Sequence, residues 1–145
     1  NTPSMLCVED YIDALEWAKT VGGLKGLVAR CDANAKAIAD FVAEKPFLEF
    51  LAKDPATRSN TSVCLNFVDP VVASLSDKDK AAFAKDVATR LEKQGVGLDL
   101  GSYRDAPPGL RIWCGATVET SDVTALMPWI EWAYEGAKAA LVKAA

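Results

Sequence analysis

Apolar residues recur along this chain with two different periods, and the switches between them mark out the elements. From Met5 to Ala18, the residues Met5, Val8, Ile12, Leu15 and Ala18 fall on one stripe, with Glu9, Asp13 and Glu16 opposite. That is the spacing of an amphipathic helix, and Gly22 and Gly23 predict its end. A second helix follows with Leu24, Leu27, Cys31, Ala35, Ile38 and Val42 facing inward, stopped by Pro46. Phe83, Val87 and Leu91 predict a third from about Asp77 to Gln94. A fourth, from Ser121 onward, uses Val123, Leu126, Met127, Ile130, Tyr134 and Leu141, with Ser121 or Asp122 as its cap.

Between the helices the period falls to two. In SVCLNFV, Val63, Leu65 and Phe67 share a face; in VGLDL, Val96, Leu98 and Leu100 do the same. In LRIWC, Leu110, Ile112 and Cys114 lie on one face while Arg111 and Trp113 lie on the other. FLEFL, at 47–51, reads as a weaker strand. The order helix, helix, strand, strand, helix, strand, strand, helix predicts an α+β domain of two layers, a small sheet with helices packed on one face. The far face then carries Trp113 and Arg111, and a large aromatic is rarely left in plain solvent there. If no part of this chain covers that face, a further domain or a second subunit is expected to.

Composition narrows the function. The 145 residues fit one domain with a real core, half of them hydrophobic and a quarter charged. A net charge of -4 and a pI near 4.8, with no basic tract, argue against a nucleic-acid partner. No apolar run approaches the roughly 20 residues of a membrane span, so no membrane anchoring is expected. Histidine is absent, which removes Ser-His-Asp and Cys-His nucleophile systems and His-ligated metals. The four cysteines, Cys7, Cys31, Cys64 and Cys114, match neither a redox pair nor a zinc ribbon. Each sits in an apolar pattern and is expected to be a buried free thiol in a reducing compartment.

Two segments could carry chemistry. In Asn1-Thr2-Pro3-Ser4, Thr2 fits a helix N-cap and Pro3 the first helical position. The free N–H groups there would cradle a phosphate, or the segment is an ordinary capped helix start. In GSYRDAPPGLRIWCGATVE, at 101–119, Arg104 lies in the loop entering the last strand and Arg111 lies on it. Two guanidiniums converging on the open face would hold two anionic groups, since each pairs bidentately with carboxylate or phosphate. Pro107 and Pro108 would stiffen the loop. The alternative is a pair of solvated arginines. Tyr103 could donate to the same anion as Arg104, or simply pack. Arg58, in ATRSNTS, is a third anion candidate or an ordinary loop arginine. The charged run 76–86 reads as the solvated face of the third helix, and Trp17, Trp129 and Trp132 as core or interface residues.

NTPSMLCVEDYIDALEWAKTVGGL, RSNTSVCLNF and YRDAPPGLRIWCGATVE together resemble the C-terminal part of the phosphoserine aminotransferases. These are class V aminotransferases among the fold-type I pyridoxal-phosphate (PLP) enzymes. The resemblance spans essentially the whole chain and is closest in the first 25 residues and at 101–119. It implies that residues 1–145 are the C-terminal small domain, with the large PLP-binding domain absent. It further implies amino transfer between glutamate and 3-phosphohydroxypyruvate in serine biosynthesis, in a cytoplasmic homodimer. By the resemblance, Asn1 and Thr2 would contact the PLP phosphate of the neighbouring subunit. Arg111 would bind the substrate α-carboxylate. Arg104 and Tyr103 would replace a His-Arg pair that binds the substrate phosphate.

The chain departs from the family pattern in having no histidine, one extra residue between its two arginines, and a different sequence after Arg111. RSNTS keeps the family's arginine and serine as Arg58 and Ser59. No lysine lies in a PLP-lysine context, so the resemblance implies no catalytic residue here, no metal, and no activity of the chain alone. Another class V enzyme, such as an alanine–glyoxylate aminotransferase, and a stand-alone α+β binding module are the alternatives.

Overall fold

The computed structural model describes residues 2–144. Its elements are α1 (Met5–Thr20), α2 (Gly23–Glu44), β1 (Leu48–Phe50), β2 (Ser62–Phe67), α3 (Pro70–Ala73), α4 (Asp77–Lys93), β3 (Leu110–Trp113) and α5 (Thr120–Ala144). A 3-10 turn at Pro55–Thr57 joins β1 to β2. The three strands form an antiparallel sheet in the order β1-β2-β3, with Leu48 opposite Phe67 and Val63 opposite Ile112. This is the expected α+β fold.

Alternation decides which face of the sheet is covered. Val63, Leu65, Leu110 and Ile112 are buried beneath Phe83, Val87 and Leu91 of α4 and Met127, Ile130 and Tyr134 of α5, with Ile38 of α2 joining them. Burying each large aliphatic or aromatic side chain contributes about 1.5–3 kcal/mol, so this layer holds the domain together. Tyr134 stacks on Phe47 at 3.9 Å between ring centroids, and Phe67 meets Phe83 edge-on at 5.1 Å. Burial and then the neighbouring Asp69 carboxylate push the Tyr134 phenol up to about 12. Asp69 caps α3 by accepting from the Val71 N–H and pairs with Lys138 of α5 at 2.8 Å.

Local chemistry explains the boundaries. Ser76 caps α4 by accepting from the Asp79 N–H, Asp77 and Asp79 sit at its positive end, and Arg90 and Lys93 at its negative end. Between α1 and α2 the backbone turns through Gly22 at φ 98° and Gly23 at φ 62°. Gly26 lets the helices meet, since a Cβ there would lie 1.8 Å from the Val21 carbonyl oxygen.

Several expectations are corrected. Residues 96–100 form no strand, because Gly95 (φ 69°) and Asp99 (φ 54°) break the extended backbone. Leu100 still reaches the core, whereas Leu98 is 72% exposed. The segment touches β3 through an Arg111 N–H to Leu100 carbonyl bond of 2.9 Å and a single bridge between Gly101 and Leu110. The stripe of α1 is exposed, and no residue of that helix is buried. Helix α1 packs against α2, and the stripe faces away from the core. On α2 the buried line runs through Cys31, Asn34 and Ile38, leaving Leu24 exposed.

Thr2 and Pro3 precede the first helix instead of starting it: Ser4 is the N-cap, and its side chain makes no capping bond. Helix α5 starts at Thr120, so Ser121 and Asp122 fall in its first turn. The short α3 has no counterpart in the periodicity. Cys31 and Cys114 are buried as expected, but Cys64 is half-buried and Cys7 exposed. Trp17, Trp129 and Trp132 are partly exposed and not core residues.

Candidate functional site

Strand β3 presents Arg111 and Trp113 away from the helices, as the alternation requires. Arg111 lies opposite Cys64 and Trp113 opposite Ser62 in the ladder with β2. The guanidinium is not open to solvent: the Arg111 side chain is only 12% exposed. Its Nη2 donates to the Asp99 carboxylate at 2.7 Å and to the Asp99 carbonyl at 3.3 Å. Its Cζ stands 4.5 Å from the centre of the Tyr103 ring, a cation–π distance. Its Nε is fully buried and has no partner. A buried donor without an acceptor costs about 1–3 kcal/mol, which marks the position as prepared for something further.

A hollow of about 280 Å³ lies beside this pair, walled by Leu98, Asp99, Arg111, Trp113 and the first turn of α5 at Asp122. Trp113 folds back over Gly115, where a Cβ would lie 2.5 Å from the indole Cζ2. The indole remains 55% exposed. No segment among the described residues covers it fully.

Arg104 lies elsewhere. It is exposed and lines a larger cleft of about 510 Å³ between α4 and the 99–109 segment, together with Lys85, Thr89, Glu92, Ser102 and Tyr103. The two arginines therefore do not share one hollow. The 99–109 segment stands between their two recesses, with Asp99 lining both and Tyr103 reaching from the Arg104 cleft to the Arg111 guanidinium. Sequence reasoning brings Arg111, Arg104 and Tyr103 to one region, and the structure sorts them into a covered site and an open one.

Arg58 serves its own loop. Its Nε donates to the Ala52 carbonyl at 3.0 Å, its Nη2 to the Lys53 carbonyl at 3.2 Å, and its Cζ lies 4.0 Å over the Phe50 ring. Thr2 is exposed ahead of α1, and Asn1 lies outside the described residues.

The turn after β3 is fixed from α2. Asn34 is completely buried, its Nδ2 donating to the carbonyls of Cys114, Gly115 and Val118 at 3.1, 3.3 and 2.9 Å. Its Oδ1 accepts from the Thr120 hydroxyl at 2.6 Å. Arg30 adds an Nε bond to the Ala116 carbonyl at 2.7 Å and an ion pair with Glu119 at 2.5 Å. Asn34, Asp99 and Lys85 are the residues that sequence reasoning missed. For Asp99 a signal existed: Gly95, Gly97 and Gly101 alternate through the segment, and such glycine spacing argues against a strand.

Against known proteins, no family model matches the chain. The phosphoserine aminotransferase of Methanosarcina barkeri is 49% identical over 134 residues, 92% of this chain and 34% of that protein. The Methanosarcina mazei enzyme is 47% identical over 93% of this chain and 34% of its own length. The solved phosphoserine aminotransferase of Bacillus circulans subsp. alkalophilus superposes with a TM-score of 0.76 at 22% identity, covering 94% of this chain and 34% of that one. The PLP-bound enzyme of Trichomonas vaginalis superposes with a TM-score of 0.74 at 19% identity, over 90% of this chain and 34% of that one. Along more than nine-tenths of its length the chain is thus similar to the phosphoserine aminotransferases, spanning about a third of the length of those it matches and sharing the fold of that third.

Proposed function

We propose that residues 1–145 are the C-terminal small domain of a phosphoserine aminotransferase, which moves an amino group between glutamate and 3-phosphohydroxypyruvate in serine biosynthesis. The observation that carries this reading is Arg111, a nearly enclosed guanidinium with an unsatisfied buried Nε, aimed from a rigid strand beside a hollow. Such a group is built for an anion that brings two oxygens, and an amino acid's α-carboxylate is one. Arg104, exposed in the neighbouring cleft with Tyr103 and Lys85, then takes the substrate phosphate.

PLP fits this chain only at its margin. The start of α1, uncapped by Ser4 and preceded by the exposed Thr2, can donate to a phosphate; Asn1 lies outside the described residues, and its contact rests on the family resemblance alone. In this reading the covalent anchor is a lysine of the large domain. Bound PLP supplies the electron sink for amino transfer. This chain's residues bind and orient: Arg111 fixes the carboxylate, Arg104 the phosphate, and Trp113 with the α5 turn walls the hollow. The exposed stripe of α1 and the outer face of the sheet are then covered by the large domain and by the second subunit of a cytoplasmic homodimer. The share of the relatives' length that this chain leaves unmatched supports the large domain in this reading.

In the full-length enzyme, Arg111→Ala should raise KM for glutamate and phosphoserine alike, by at least about thirtyfold, the usual consequence of truncating a hydrogen-bonded charge partner. Arg104→Ala should raise KM for phosphoserine far more than for glutamate. Equal effects of Arg104→Ala on both substrates would refute the phosphate assignment and favour an aminotransferase for unphosphorylated amino acids. The 145-residue chain alone, supplied with PLP, should show no transamination.

A further inference from the structure

The pairing of Arg111 with Asp99 leads beyond substrate binding as such. We infer that Asp99 is an exchangeable counter-ion: its carboxylate holds the Arg111 guanidinium when no ligand is bound and gives way to the substrate's carboxylate. The inference rests on the reading of Arg111 as the carboxylate anchor, and the experiment below separates the two.

Three observations support an exchangeable pair. Asp99 engages only Nη2, through both its carboxylate and its own carbonyl, leaving the adjacent Nε without a partner. The Nε–Nη2 edge is the one a carboxylate grips with two parallel bonds, so Asp99 half-fills it. A ligand bringing two oxygens satisfies Nε and Nη2 together and gains what Asp99 cannot supply. Secondly, the Asp99 side chain is 87% exposed. Among the described residues nothing else holds the carboxylate, and it can turn to water at small cost. Thirdly, Asp99 is the only non-glycine residue among the described residues with a positive φ, 54°. Asp tolerates that conformation better than most residues, and here it carries the side chain back toward β3.

The consequence is a competition for the guanidinium. Any anion that takes Nη2 must first displace the same intramolecular carboxylate, so Asp99 lowers the affinity of each by the same factor. The Nε–Nη2 edge itself then favours a carboxylate, which wins both donors, over a single-point anion such as chloride. Tyr103 also stands against the guanidinium, its ring centre 4.5 Å from Cζ.

The test uses the full-length enzyme with Asp99→Asn and Asp99→Gly, glycine accepting φ 54° without strain. The readouts are the inhibition constant of glutarate, an unreactive dicarboxylate, and the inhibition constant of chloride. Both variants should tighten glutarate by about two- to fivefold, the scale of releasing an exposed ion pair. They should tighten chloride by the same factor, since either anion displaces the same carboxylate. An unchanged or weaker glutarate constant in the variants would overturn the inference. So would tightening of one anion and not the other, which displacement of a shared counter-ion does not allow. Arg111→Lys is the control. If it leaves glutarate binding unaltered, the carboxylate-anchor reading itself fails. If it weakens glutarate while the Asp99 variants do nothing, only the counter-ion inference fails.

Discussion

Truncating Asn34 to alanine tests how firmly the helical layer fixes the end of β3. The amide has two protons spread over three carbonyls, those of Cys114, Gly115 and Val118, and its oxygen accepts from Thr120. The substitution orphans these groups at a site where Asn34, Cys114 and Gly115 are all buried. The Thr120 hydroxyl can rotate, and the longest amide contact, 3.3 Å to Gly115, is already weak. That leaves about two strong losses at roughly 1–3 kcal/mol each, so the expected cost is about 3–4 kcal/mol. For a chain of this size, with a urea m-value of about 2 kcal/mol/M, the midpoint should fall by about 1.5–2 M with the slope unchanged. Thr120→Val, which removes one bond, should cost only about 1 kcal/mol. Helical circular dichroism against urea reads both. A loss below about 1 kcal/mol for Asn34→Ala would show that Arg30 and the sheet hold this turn without the amide.

The thiols should separate by accessibility: Cys7 should react with an aromatic disulfide reagent in the native state, Cys64 more slowly, and Cys31 and Cys114 only on unfolding. Burial pushes the Cys114 thiol up to about 11, so native reaction at Cys114 near neutral pH would contradict its placement. For the Asp69–Lys138 pair the signs are opposite but the window is shared. The hydrogen bond from Lys138 holds the Asp69 carboxyl below its ordinary 3.8, so that contribution is present above about pH 4 and fades as pH falls through the depressed value. The same bond raises Lys138, whose contribution is present below about pH 10.4 and fades at higher pH. Asp69→Asn keeps the α3 cap but loses the charge. It should melt below the native protein at pH 7 and converge with it as pH falls through the depressed Asp69 value. A gap that persists undiminished at pH 2 would exclude the ion pair as its source.

Where burial and periodicity coincide, the sequence reads directly. Phe83, Val87 and Leu91 place α4 almost to the residue, and Leu110, Ile112, Arg111 and Trp113 give both faces of β3. Where they part, the pattern misleads. The α1 stripe is as regular as that of α4, yet it faces away from the core, because periodicity shows only that a face is apolar and not what meets it. In VGLDL the alternation is real, but glycine on either side of Val96 and a left-handed Asp99 outweigh it. At the candidate site Arg111 is legible as an outward cation. Its closure by Asp99 and Tyr103 is not, since that depends on a loop doubling back against the strand. Asn34 escapes notice for a related reason: a polar residue on a buried helix face is interpretable only once the carbonyls it serves are in place.

That doubling back also bears on self-association. A three-stranded sheet has two lateral borders, each a row of amides and carbonyls able to recruit a stray strand. On the β3 side, Leu100 already takes the Arg111 amide and Gly101 bridges to Leu110, so a template for strand addition is blunted by the protein's own backbone. The opposite border is only Leu48–Phe50, with the acidic Glu49 salt-bridged to Lys53. Fibrillar stacking through hydrogen-bonded borders is therefore disfavoured on both sides. Any aggregation of the chain in isolation should proceed through greasy surfaces and respond to detergent more than to β-breaker peptides.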